Sequence, residues 1–168
     1  MLDNELRIVS TYEMLVKQDV VATPINDLVK VYNLCIDMHS LCCKHNGAGL
    51  SVIQVGVPWK LFVVYRSSSE SEFYVDCVYE PASEIKKDSI EGCLSFLREN
   101  DLSRLFVVSR FDKVRVRGWQ LMSYDKLALE PIDKIVEGYE GIVFQHEIDH
   151  QFGIVIADIG REVTIWRG

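Results

Sequence analysis

Apolar positions along this chain follow two rhythms. After Pro24, the residues Leu28, Val31, Tyr32, Cys35, His39 and Cys42 recur at spacings of three and four. That period lines up one face of an α-helix. Asp27 can cap its start and Asn46-Gly47 ends the pattern, so the spacing predicts an amphipathic helix over about residues 25–45. Gly-Ala-Gly-Leu then leads into the apolar run Ser51–Val57 and Pro58. The middle of the chain changes to short strand-like runs at Phe62–Tyr65, Tyr74–Val78, Leu105–Ser109 and Val114–Arg117. Separated by turn signals, these suggest antiparallel sheet. Arg66–Glu72, rich in serine and glutamate, lies between two such runs and reads as a hairpin loop. After Pro131 the pattern returns to helix, from about Ile132 to Gln151, loosened by Gly138 and Gly141. Ile154–Ala157 reads as a last short strand. The expected class is α+β, with antiparallel or mixed sheets around a helix in the last third and an amphipathic helix near the N-terminus. Residues 1–168 show no internal repeat or low-complexity tract and are expected to form one domain.

Composition narrows the partners. With 18 Lys and Arg against 25 Asp and Glu, the net charge is −7, which argues against nucleic acid or an anionic membrane as the main partner. No run approaches the ~18 apolar residues of a membrane span. The N-terminus, Met-Leu-Asp-Asn-Glu, lacks the basic start and apolar core of a signal peptide. The five cysteines, at 35, 42, 43, 77 and 93, do not form a disulfide framework. A cytoplasmic protein is expected, an organellar one less so.

The sharpest chemical signal is Gln145-His146-Glu147-Ile148-Asp149-His150. Histidines four apart on a helix lie one turn apart on one face, so His146 and His150 can converge on one ion. Glu147 can then reach water there as a general base. A third ligand must come from elsewhere. No histidine follows His150; Asp158 and Glu162 lack a ligand spacing, and upstream Cys93 stands beside Gly92 in Glu-Gly-Cys-Leu-Ser. Cys35 and Cys42 fall on the helix stripe and Cys77 in a strand, where thiols act as small apolar groups. Gln54, inside an apolar run, needs hydrogen-bond partners, and donation to a reacting oxygen is one use for its amide.

Taken together and in this order, GAGLSVIQ at 47–54, EGCLS at 91–95 and QHEIDH at 145–150 resemble the peptide deformylase family. Leu6-Arg7, the Val-Ser-Arg stretch ending at Arg110, Gly153 and Asp158 extend the likeness over nearly the whole chain. The resemblance implies Cys93, His146 and His150 as ligands of one divalent ion, Fe(II) in many members and otherwise zinc, nickel or cobalt. It implies Glu147 as base, Gln54 and the Leu94 backbone N–H as oxyanion donors, Gly49 as backbone partner of the substrate, and Glu91 with Arg110 as a supporting pair. The implied reaction is hydrolysis of the formyl group from N-formylmethionyl peptides of nascent chains, releasing formate. On the second helix, Tyr139, Ile142 and Val143 precede His146 on its face, and should line the methionine pocket with Ala48 and Gly49 opposite.

Several positions depart from the family pattern. Ser51-Val52 replaces a pair of alanines, Glu80-Pro81 an Asn-Pro, Leu97 a proline and Gln151 a leucine, while Arg98–Arg104 reads as a polar insertion or altered loop at the cleft edge. Only 18 residues follow His150, so the C-terminal helix of many bacterial members, and the ribosome contact it makes, are not expected; a monomer is. Two rival readings remain: a zinc peptidase, which needs a further His or Glu ligand downstream, and a non-catalytic relative that binds metal or peptide.

Overall fold

A computed structural model describes residues 6–9, 19–97 and 103–164. Among the described residues the first helix, α1 (Leu28–Lys44), starts where the Asp27 carboxylate accepts a bond from the Lys30 N–H at 3.1 Å. Strand β1 (Gly49–Ser51) runs into a single 3-10 turn, Val52–Val55. Then come β2 (Leu61–Ser67), β3 (Glu70–Pro81), β4 (Lys86–Leu97), β5 (Ser103–Phe111), β6 (Lys113–Leu121) and β7 (Leu129–Glu137). Helix α2 (Gly138–Gln151), a one-turn helix α3 (Ile156–Ile159) and β8 (Gly160–Val163) follow. Among the described residues these strands pair antiparallel, in a five-stranded sheet of order β1-β2-β3-β6-β7 and a three-stranded sheet of order β4-β5-β8, with one isolated parallel bridge, Val21↔Trp59. The fold is thus mixed α+β.

Alternation along β2 explains the layering. Leu61 and Val63 join a core with Val31, Cys35, Met38 and Leu41 of α1. Phe62 and Val64 face the other way, into a core with Val143, Phe144 and Ile148 of α2. Successive side chains of a strand point to opposite faces, so the two helices cover opposite sides of the large sheet. A third core joins Cys93, Phe96, Phe106 and Val108 of the small sheet to Ile53, Val155 and Ile156. Helix α2 is buried almost continuously from Val143 to Gln151 although that stretch is polar.

Three sequence expectations are corrected here. Residues 132–137 are strand, not helix. β7 pairs with β6 over nine residues, from Lys113↔Glu137 to Leu121↔Leu129, and that continuous ladder outweighs helical spacing of a few apolar residues. The helix begins only at Gly138, whose φ of +58° turns the chain from strand to helix in a region glycine enters freely. Ile154–Ala157 is not a strand; Ile156–Ile159 forms the turn α3, and pairing with β5 starts at Gly160. The hairpin is tighter than expected, because the ladder runs on to Ser67↔Glu70. Of the suspected loop 98–104, residues 98–102 lie outside the described residues, while Ser103 and Arg104 belong to β5. No helix among the described residues is long and apolar enough to cross a membrane.

Candidate metal centre

Three segments bring the chemistry together. β4 carries Glu91 and Cys93 into the interior, and its ladder with β5 is interrupted between Gly92 and Leu97. The Cys93-Leu94-Ser95 backbone thereby leaves regular pairing. Helix α2 presents His146, Glu147 and His150, and the 3-10 turn presents Gln54. Cys93 Sγ lies 3.5 Å from His150 Nε2, and one donor atom from each of Cys93, His146 and His150 falls within 4.8 Å of the others. Zinc-type bonds of about 2.3 Å to sulfur and about 2.1 Å to nitrogen, at a tetrahedral angle, separate the two donors by roughly 3.6 Å. The buried trio therefore fits one divalent cation, with a fourth position left. Glu147 Oε2, also buried, has no hydrogen-bond partner.

One of the two histidines is aimed by a carboxylate. His146 Nδ1 sits 2.9 Å from Glu91 Oε2, which leaves the opposite nitrogen for the cluster. Arg110 donates to both oxygens of Glu91, at 2.8 and 2.9 Å, and pairs with Asp149. Tyr79 Oη donates to Asp149 at 2.8 Å and Ser89 Oγ to Glu91. Gln145 locks α2 to the end of β5, exchanging two 3.0 Å bonds with the Phe111 backbone. Such partners fix ring orientation and ligand basicity. Burial opposes charge on Glu91, but the bonds from His146 and Arg110 outweigh it and hold the carboxyl down at about 2. Burial likewise works against charge on His146, yet Cys93 and Glu91 draw it above the ordinary imidazole range. His150 is pushed well below that range by burial and by its neighbour His146. Burial raises Glu147 to about 7, a value suited to a base working near neutrality.

A cavity of about 280 Å³ opens onto the cluster. Its lining includes Ala48, Gly49, Gln54, Glu91, Cys93, Leu94, Ile142, Val143, His146 and Glu147. Tyr139 also lines it, but is 72% exposed and stands at the mouth. Gln54 accepts from the Ser51 N–H at 2.9 Å, while its Nε2 donates to Ser95 Oγ at 3.1 Å and faces Cys93 Sγ at 3.4 Å. An incoming oxygen would share that amide with the sulfur. Gly49 lies against Glu147: a Cβ there would meet Glu147 Oε1 at 2.8 Å. Arg110 is behind the cluster and does not line the cavity. His150 sits beneath it, and Asp158 and Glu162 are not part of the metal-binding group.

The polypeptide deformylase family profile matches residues 8–164. The chain belongs to this family. Polypeptide deformylases are metal-dependent hydrolases that deformylate nascent peptides. The peptide deformylase of Aquifex aeolicus is 36% identical over 135 residues, covering 77% of this chain and 72% of that protein. The peptide deformylase of Desulfotalea psychrophila is 31% identical over 160 residues, 91% of this chain and 86% of its own length. Among solved structures, the Met-Ala-Ser-bound class I type b peptide deformylase of Acinetobacter baumannii superposes with a TM-score of 0.78 at 22% identity, covering 94% of this chain and 99% of that one. At that identity the superposition speaks for the deformylase fold alone.

Sequence reasoning did not single out four residues of this deformylase site. Asp149 sits between the two histidines and shares Arg110 with Glu91. A buried arginine facing one carboxylate has donors to spare, which was the available signal. Tyr79 and Ser89 have no such signal, since their partners come from distant segments. His45, at the end of α1, lines the cavity but was hidden by the helix-stop pattern around it.

Proposed function

We propose that this chain removes the formyl group from N-formylmethionyl peptides, using one divalent cation held by Cys93, His146 and His150. The observation that carries the reading is the convergence of one thiol and two imidazoles beside Glu147 at the floor of a single cavity. When bound, the cation supplies Lewis acidity and acidifies water, to a pKa of about 7 for zinc. Glu147 accepts the proton of the attacking water and returns it to the nitrogen of the departing peptide. Negative charge grows on the formyl oxygen, and Gln54 Nε2 and the Leu94 N–H stand as its donors, one such donor being worth about 3 kcal/mol. Ile142 and Val143 take the methionine side chain, with Tyr139 at the mouth and Ala48 opposite. The Gly49 strand pairs with the substrate backbone, an edge-strand mode of peptide capture. Glu91, held by Arg110, orients His146.

The donor set of thiolate and imidazole suits iron, zinc, nickel or cobalt, and Fe(II) is the proposed cellular metal. The working unit is a monomer in the cytoplasm, one domain over residues 1–168, that recognises the peptide itself. The test is formate release from formyl-Met-Ala-Ser by protein purified without oxygen. Stoichiometric formate and Met-Ala-Ser are expected. Metal-loaded protein that releases no formate, or that cuts internal peptide bonds instead, overturns the reading.

A further inference from the structure

The cavity opens between two sheet edges. β1 and β4 are the outer strands of their sheets, and residues 45–49 and 89–92 line the opening on either side. The metal-binding trio lies at the inner end. A peptide whose first residue is seated there leaves between His45-Asn46 on one side and Ser89-Ile90 on the other, a placement that rests on the deformylase reading.

Charge is unevenly distributed at this exit. The two carboxylates lining the cavity, Glu91 and Glu147, are deeply buried, and Glu91 is already engaged by Arg110 and His146. Glu140, in the first turn of α2, is tied to Arg66 and Lys134. Asp88, exposed on β4, does not line the cavity. On the opposite side, His45 is half-buried, lines the cavity, and its ring has no hydrogen-bond or ion-pair partner among the described residues. Lys44, exposed, comes just before it. The turn that presents His45 is well held: His45 N–H bonds Leu41 O at 3.2 Å, Asn46 N–H bonds Cys43 O at 3.1 Å and Gly47 N–H bonds Cys42 O at 2.9 Å.

We propose that His45 selects the substrate residue following the methionine, favouring a carboxylate side chain over an ammonium. Its ring donates a hydrogen bond to an incoming Asp or Glu, and exposed Lys44 beside it adds positive charge. A lysine at the same place meets a donor and the nearby Lys44, while among the described residues the carboxylates around the exit are buried, engaged or outside the cavity lining.

The test uses the nickel-loaded full chain. Binding of Met-Asp-Ser, Met-Ala-Ser and Met-Lys-Ser is measured by calorimetry, and kcat/KM for formate release is measured on their formylated forms. The wild type should favour Asp over Lys by about two- to fivefold, the range of a partly exposed ion pair. His45→Ala should level the ratio, and His45→Glu should reverse it. A wild type that prefers Lys, or a ratio unchanged in His45→Glu, overturns the proposal. Binding preference without any formate release would keep this inference and defeat the deformylase reading. Absence of both binding and turnover defeats the two together.

Discussion

Gly49 and Glu147 touch across the cavity floor so closely that glycine at 49 is a condition for the position of the Glu147 carboxylate. A methyl group on Gly49 would fall 2.8 Å from Glu147 Oε1 and 2.9 Å from its Cγ. The strand that is to pair with the substrate therefore also walls in the carboxylate that is to move the proton.

Gly49→Ala should displace that carboxylate while leaving the three donor atoms in place. A shift of about 1 Å at a reacting group can cost roughly 100-fold in rate. The expected result is a loss of that order in kcat/KM with metal content unchanged, measured by formate assay and elemental analysis. Glu147→Gln, which keeps the shape and removes the base, should behave alike but lose turnover more completely. Full activity in either variant would remove Glu147 from the proposed mechanism.

Arg110 is the cation that lets two carboxylates be buried side by side, since Glu91 and Asp149 both pair with it. Arg110→Met should leave both without that partner. Breaking a buried pair in this way typically costs about 3–5 kcal/mol, read from urea denaturation. Because Glu91 also holds His146, metal affinity should fall by about 10- to 100-fold. A variant as stable and as metal-avid as the wild type would show that the network is dispensable.

Metal identity should decide lifetime in air. A thiolate is the oxidisable form of cysteine, and among the described residues Cys93 is the one cysteine in the proposed ligand set. The other buried thiols are protected, since burial pushes Cys42 and Cys77 up to about 12. Iron-loaded protein should lose activity in air within a time over which nickel- or cobalt-loaded protein keeps it. Equal half-lives would contradict the expectation.

Acid should loosen the contact between the large sheet and the start of α2. Burial raises the cost of charge on Glu72, but hydrogen bonds from Arg66 and Tyr74 outweigh it and hold its pKa below the ordinary value. Arg66 also reaches Glu140 in the first turn of α2. A carboxylate with a lowered folded pKa contributes stability above its unfolded value, about 4.3, and loses it as pH falls through the folded one. The wild type should therefore exceed Glu72→Gln in urea midpoint near neutrality, with the gap closing below about pH 4. A gap that does not change with pH would assign the effect to packing.

What the sequence by itself determined is the chemistry and its local carriers. His146 and His150 share a helix face because four residues make about one turn, and α1 is legible because its buried side is a continuous apolar stripe. β4 was not legible. Its inward residues include Glu91 and Cys93, so the functional site inverts the apolar-in pattern by which strands are recognised. β7 was misread because Ile132, Ile135 and Val136 have helical spacing, while its real partner, β6, lies across a turn. Tertiary structure alone decided that Asp149 completes the Arg110 pair and that His45 stands at the cavity mouth, and it is what carries Cys93, 57 residues from His150, to the meeting that the resemblance implies. The physical reason is range. Helical periodicity is set by neighbours three and four residues away, whereas strand pairing, the Gln145 lock on β5 and the approach of Gly49 to Glu147 are set by segments that meet only when both sheets close on α2.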